Sequence, residues 1–264
     1  MIIAYYSGGH VADVSARFPW PGKYKCAISL TFDDGLPSQL RVAVPLLRRY
    51  GVRATFYLCP SGSNWAGKLR PWRKVAEEGH EIGNHSLSHF CSCNFPFSGR
   101  CLEELTLEEI EEDILEAQRR LESLIPGREI RTYAYPCYQS YVGRGASRKS
   151  YVPVVARYFL AARGVGEKPW PNDPLRCDLH YLWSWPAERM SAAEMIGLVE
   201  QTLMKGGWAI FTFHGIGEGH LPVSESDLEA LLEYLSWREE VWVAPVAEVA
   251  SYVAKRRAHR QARS

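Results

Sequence analysis

No apolar run in the chain approaches the ~20 residues that a membrane-spanning helix needs. The longest are 208–213 and 152–162, the second broken by Arg157. There is no excess of one charge either: 31 Lys and Arg stand against 30 Asp and Glu. Without a global positive field, nucleic acid and anionic membranes are disfavoured as partners. No 20–50-residue period and no low-complexity block appear, which excludes solenoids and propellers. The opening MIIAYYSGGHVADVS lacks the basic and apolar regions of a secretion signal, so the expected location is the cytoplasm. Seven cysteines form no dense even pattern, and most are expected to be reduced thiols. Cys91, Cys93 and Cys101 cluster, but C-x-C plus one further Cys is incomplete for a four-ligand zinc site. A disulfide or a zinc ion there is the alternative to ordinary thiols.

What is present reads as an ordinary globular composition, 46% hydrophobic and 23% charged over 264 residues. Apolar strand-like runs alternate with amphipathic stretches. Strands are expected at 26–32, 53–58, 80–84, 130–135, 158–162, 181–185, 208–213 and 241–243. Helices are expected after Pro37, at 71–78, at 106–124, after Ser191, after Ser226 and from about Val246. Capping boxes are read at Thr106/Glu109, Ser191/Glu194 and Ser226/Glu229. Residues 139–150 read as a Gly/Arg/Ser-rich loop. Apolar strands alternating with helices imply a parallel sheet covered by helices, and about seven strands suit a barrel. The fold class is therefore α/β, a distorted (β/α)7 barrel in a single domain. Residues 24–250 form the barrel, 1–23 an N-terminal segment and 251–264 a frayed basic C-terminal tail.

Barrels place their chemistry at the C-terminal ends of strands. Asp33-Asp34, His85, Tyr135-Pro136 and His214 all fall just past an expected strand. Adjacent Asp33 and Asp34 can offer one metal ligand and one proton acceptor from a single turn. An Asp-Asp-Gly turn with no chemical role is the plainer reading of that segment alone. His85 and His89, spaced i, i+4, would share one face of a helical turn and could bind one divalent ion. With Asp34 they make two His and one carboxylate, a set that leaves coordination positions open for water and substrate. His214, after the strand WAIFTF, is placed to protonate a leaving group. Each histidine taken alone could equally be a hydrogen-bonded wall residue.

Taken together, TFDDG at 31–35, GNHSLSH at 83–89 and FHG at 213–215 resemble, in content and order, the NodB-homology polysaccharide deacetylases of carbohydrate esterase family four. The resemblance covers roughly residues 24–250. It implies a hydrolase that removes acetyl groups from N- or O-acetylated saccharides by metal-activated water. The implied cofactor is a divalent metal, zinc first, with cobalt, nickel or manganese as alternatives. By the same resemblance Asp33 matches the general base, Asp34, His85 and His89 the metal ligands, and His214 the general acid. A backbone N–H at Cys137 matches the oxyanion donor.

Two departures stand out. The family's Arg-x-Pro-Tyr motif is here Ala134-Tyr135-Pro136-Cys137, without the Arg that orients the base, and Arg131 lies three residues too early. Arg163, in the run AARG, is the candidate to supply that charge beside Asp33. The family's fourth, Asp-containing motif has no clear counterpart, and Trp183 and Trp185 in that region wall the acetyl pocket or simply belong to the core. Trp65, Trp72, Phe95 and Phe97 could stack on sugar rings or pack inside. The alternatives to a saccharide deacetylase are a cyclic amide or imide hydrolase on the same barrel and a non-catalytic carbohydrate-binding protein. The expected partner is an acetylated saccharide, with no nucleic acid and no membrane span, and the sequence does not fix an oligomeric state.

Overall fold

The computed structural model describes residues 18–262 other than 98 and 167. The opening 1–15 on which the location was read lies outside them, as does the N-terminal segment apart from 18–23. Among the described residues, ten strands, β1 (Cys26–Asp33), β2 (Thr55–Leu58), β3 (Glu81–Asn84), β4 (Thr132–Ala134), β5 (Tyr141–Val142), β6 (Lys149–Ser150), β7 (Ala161–Arg163), β8 (Trp185–Pro186), β9 (Trp208–Phe213) and β10 (Val241–Val243), alternate with helices. The helices are α1 (Val44–Arg49), α2 (Trp65–Leu69), α3 (Trp72–Glu77), α4 (Leu107–Leu124), α5 (Val152–Val155), α6 (Ala192–Lys205), α7 (Glu225–Trp237) and α8 (Val246–Gln261).

The main sheet runs in the order β7-β4-β3-β2-β1-β9-β8, all parallel. A parallel bridge from Arg163 to Leu182, just before β8, joins the two ends into the expected seven-membered barrel. The distortion lies at β1, the central strand. On one edge β10 pairs with its first half, Cys26–Ile28, and β2 with its last, Thr31–Asp33. Strand faces sort as parallel sheets require: Phe32, Phe56, Phe211, Phe213 and Trp185 point outward into the core beneath the helices, with Trp72. Trp185 and Trp72 are thus core residues, not walls of a pocket. Thr31, Asp33, Tyr57 and Arg163 belong to the opposite, inner face, where Arg163 contacts the other three.

Helix α4 forms because Ile110, Ile114, Ala117, Leu121 and Leu124 recur on one buried stripe, and the Thr106/Glu109 capping box closes its first turn. The box at Ser191/Glu194 starts α6, and Gly206, at φ 68°, ends it. For α7 the cap is Ser224 with Asp227, two residues earlier than Ser226/Glu229, because Ser224 is the residue still in extended backbone.

Three expectations are corrected. The 139–150 loop contains an antiparallel hairpin, β5–β6. The strand expected at 158–162 starts only at Ala161, since Tyr158 remains in the turn that follows α5. The basic C-terminal run is no frayed tail: α8 continues to Gln261, with Val253 buried and Arg257 donating to the carbonyls of Pro174 and Cys177. Phe18 and Trp20, in the expected N-terminal segment, pack on the same helix through Tyr252.

Candidate active site

Every polar group read as chemical lies at the mouth formed by the C-terminal ends of β1, β3, β4, β7 and β9. Asp33 is the last residue of β1 and 2% exposed. Its Oδ1 accepts from Arg163 Nη2, and its Oδ2 lies 3.7 Å from His85 Nε2 and 4.0 Å from His214 Nε2. Burial alone would raise its carboxyl. The Arg163 guanidinium, with His85 and His214 behind it, instead holds it below the usual carboxylate range. Asp33 is therefore ionised at neutral pH. Arg163 is fully buried, and its Nε donates to Thr31 Oγ1 at 3.2 Å. The positive charge absent beside Pro136 thus enters the site from β7.

Asp34 takes a left-handed backbone, φ 70°, which turns its carboxylate away from Asp33's path. Its Oδ1 lies 3.5 Å from both His85 Nε2 and His89 Nε2, and the three donor atoms are mutually within 4.8 Å. Ligands ~2.0–2.2 Å from a tetrahedral ion sit roughly 3.4 Å apart, so the set fits zinc-like coordination. His85 is 1% exposed, and its Nδ1 is 2.9 Å from the Ala134 carbonyl, which can only accept. Nδ1 therefore carries the proton, and the Nε2 lone pair faces Asp34. Burial pushes the imidazole pKa down to about 4, keeping it neutral, the form that ligates.

The two histidines do not share a helical turn. Residues 85–89 are a loop, with Ser86 at φ 63° and His89 at φ 49°. Local hydrogen bonds defeat the helix: Asn84 Oδ1 accepts from Ser86 N, and Ser86 Oγ from His89 N. Asp113 on α4 accepts from both Leu87 N and Ser88 N. The ring centroids still end 4.8 Å apart.

His214 follows β9 and is 8% exposed, with Nε2 toward Asp33 and Nδ1 buried without a partner. Cys137, at φ 49°, follows Pro136 at the β4 end and is disulfide-bonded to Cys91. A second disulfide joins Cys93 to Cys101, so four of the seven cysteines are oxidised and only Cys26, Cys59 and Cys177 are free. The expectation of mostly reduced thiols is corrected. Loop geometry brings Cys91 and Cys137 to 5.7 Å between Cα atoms, a distance that a separation of 46 residues does not reveal.

Three contributors were not read from the sequence. Gln39 Nε2 donates to the carbonyls of Asp33 and His214, tying together the ends of β1 and β9. Asp113 holds the histidine loop. Glu188 lies two residues beyond Pro186, which pairs with Thr212, so it comes level with His214, and its Oε2 is buried without a partner. Only the register of β8 on β9 discloses it. Trp183 is partly exposed beside the Gly164–Gly166 turn, and Phe95 and Phe97 form an exposed pair, rings 5.2 Å apart.

The mouth thus holds Asp33 and His214, 4.0 Å apart, beside the Asp34, His85 and His89 donor set. Residues 22–146 match the family model for polysaccharide deacetylase. That match takes in the TFDDG and GNHSLSH segments, while the FHG segment at 213–215 lies beyond it. Among curated proteins the chain is 32% identical over 101 residues to a peptidoglycan-N-acetylglucosamine deacetylase of Bacillus cereus, covering 37% of this chain and 41% of that protein. It is 24% identical over 262 residues to a gellan lyase of a Bacillus species, covering 90% of this chain. The chain spans only 10% of that lyase's length. The fold matches the peptidoglycan deacetylase PdaC of Bacillus subtilis at TM-score 0.55 and 18% identity, over 90% of this chain and 96% of that one. It also matches, at TM-score 0.54 and 15% identity, a carbohydrate esterase family four pseudoenzyme of Bacillus anthracis, over 86% of this chain and 66% of that one.

Proposed function

We propose that the protein hydrolyses acetyl groups from an N- or O-acetylated saccharide with a divalent metal, zinc first, held by Asp34, His85 and His89. The observation that carries this reading is the placement of Asp33 between Arg163 on one side and the His85–His214 pair on the other. When bound, the ion would supply Lewis-acid polarisation and a more acidic water. Asp33, ionised and fixed by Arg163, accepts the proton of the attacking water. Arg163 is a positioning residue: it holds Oδ1 and leaves Oδ2 free for the proton. The Cys137 backbone N–H is assigned as a donor to the developing oxyanion. His214 Nε2 gives its proton to the departing amine or alkoxide. Glu188, level with His214, is assigned as the carboxylate that steadies the imidazolium, in the place of the missing fourth motif. The disulfides support an oxidising compartment over the cytoplasm as the working location, since such bonds persist there.

The test is acetate release from a panel of acetylated saccharides, before and after chelation and re-addition of zinc, with Asp33→Asn as control. Metal-dependent acetate release lost in the variant supports the proposal. A folded, metal-loaded protein that releases none is no saccharide deacetylase, and ring opening of cyclic amides is then the next assay. The altered origin of the arginine is what keeps that second reading in view.

A further inference from the structure

His89 faces two donor sets, one through each ring nitrogen. Nε2 points at Asp34, 3.5 Å away, whereas Nδ1 lies 3.6 Å from Cys91 Sγ. Cys91 is bonded to Cys137, and His89 Nδ1, Cys91 Sγ and Cys137 Sγ together form a second trio of donor atoms within 4.8 Å of one another. As a disulfide, neither sulfur is a thiolate, and thiolate is the form that ligates. We infer that the Cys91–Cys137 disulfide masks a second metal site, and that reduction opens it to a thiophilic divalent cation such as zinc or cobalt at His89, Cys91 and Cys137.

The chemistry balances with a dithiol as reductant. It supplies two electrons and two protons, the S–S bond breaks into two cysteine thiols, and the dithiol closes into its own disulfide. Each thiol then loses its proton to water as it takes the cation. Cys91 is buried and Cys137 partly exposed, so the reductant reaches the bond from the Cys137 side. Two thiolates and an imidazole suit zinc and cobalt far better than magnesium or calcium. A neutral imidazole has one free lone pair. His89 therefore serves the carboxylate set through Nε2 or the sulfur set through Nδ1, and reduction sets the two in competition. The inference stands on this donor geometry whatever the protein hydrolyses.

The experiment uses the full chain carrying Cys93→Ser and Cys101→Ser, which removes the other disulfide. Oxidised and phosphine-reduced samples are titrated with cobalt(II), the phosphine taking up oxygen from water and not competing as a thiol. Reduction must release two more titratable thiols than the oxidised form shows. The expected result is a near-ultraviolet thiolate-to-cobalt band only after reduction, saturating at one ion per chain and lost when Cys91→Ser is added. The inference is overturned if the reduced sample shows no such band, if the band survives Cys91→Ser, or if the bond resists reduction in the folded protein. Acetate release from the oxidised sample is scored separately, so failure of the hydrolase reading leaves this result interpretable.

Discussion

The two ends of the barrel differ in how they treat the polar groups borne by the strands and the turns that directly follow them. At the N-terminal end, the carboxylate of Glu81 accepts from Thr55 Oγ1, Thr132 Oγ1 and Ala247 N, and His80 Nδ1 accepts from Ala54 N. At the C-terminal end, Arg163 Nη1, His214 Nδ1 and Glu188 Oε2 are buried with no partner, and away from the strands so are Gln201 Oε1 on α6 and Arg238 Nε just after α7. Left-handed backbone at Asp34, Ser86, His89, Cys137 and Tyr138 gathers at that same end. Satisfied groups hold a fold together, while orphaned groups and strained backbone wait for a ligand. A cleft of about 620 Å³ also lies at the satisfied end, lined by His80, Glu81, Arg131, Glu248 and Tyr252.

The largest effect that would break this comparison is at Asp33. Asp33→Asn keeps the shape and the Arg163 contact but removes the proton acceptor. Acetate release is expected to fall about 10³-fold, the middle of the range for lost acid–base catalysis, and thermal stability to fall with it, because the fully buried Arg163 loses its charge partner. A variant as active as the parent would show that the upper cluster is structural after all. At the other end, Glu81→Ala strands Thr55, Thr132 and the Ala247 N–H. Stability is expected to drop by roughly 3 kcal/mol in denaturant titration, with kcat per folded molecule unchanged. A large loss of kcat there would dissolve the division between the ends.

How much of this was legible follows the same division. Asp33, His85 and His214 were readable because each ends an apolar strand, and barrel strands carry chemistry at that end. Arg163 was readable as a charge in the apolar run AARG. The fold was legible for the long strands, and the 208–213 strand was placed to the residue, because periodicity and caps are local signals. Glu188, Gln39 and Asp113 were not, because they enter through the register of β8 on β9, the turn after β1 and the packing of α4. The i, i+4 spacing of His85 and His89 suggested a helix. It yielded to Asn84, Ser86 and Asp113, polar groups that compete for the same backbone N–H groups. The cysteine pairing was hidden for the same reason: Cys91 and Cys137 meet only once β3 and β4 lie side by side.

A smaller effect sharpens the comparison through pH. Burial pushes His80 down to about 4, below its ordinary 6.5. Between those values the unfolded chain binds the proton that the folded protein refuses, so stability rises with pH across this window and falls as pH drops from about 6.5 toward 4. At ~1.4 kcal/mol per pK unit the full loss is up to roughly 3 kcal/mol. In metal-free protein His85 has the same sign. His80→Asn should therefore remove one of two histidine contributions to the slope, and metal loading should alter the other. Urea midpoints at pH 7 and pH 4.5 measure both, and an unchanged slope in the variant would place the acid sensitivity elsewhere.

The smallest effect concerns α8, which closes the satisfied end. Arg257 Nε donates to the Pro174 carbonyl at 2.9 Å and Nη1 to the Cys177 carbonyl at 2.8 Å, tying the helix's last turns to the chain before β8. These bonds are partly exposed, so water replaces them in part when they are lost. Arg257→Ala is expected to cost about 1 kcal/mol in the urea midpoint. Hydrogen exchange should quicken at 254–261 and leave 246–250 protected, because Val246, Val249 and Ala250 remain buried. Acetate release should not change, since no atom of this anchor reaches the mouth. A fall in activity would mean that the 174–183 segment, which leads into β8 and Glu188, passes the loss of this anchor across the barrel, and the two ends would then be coupled.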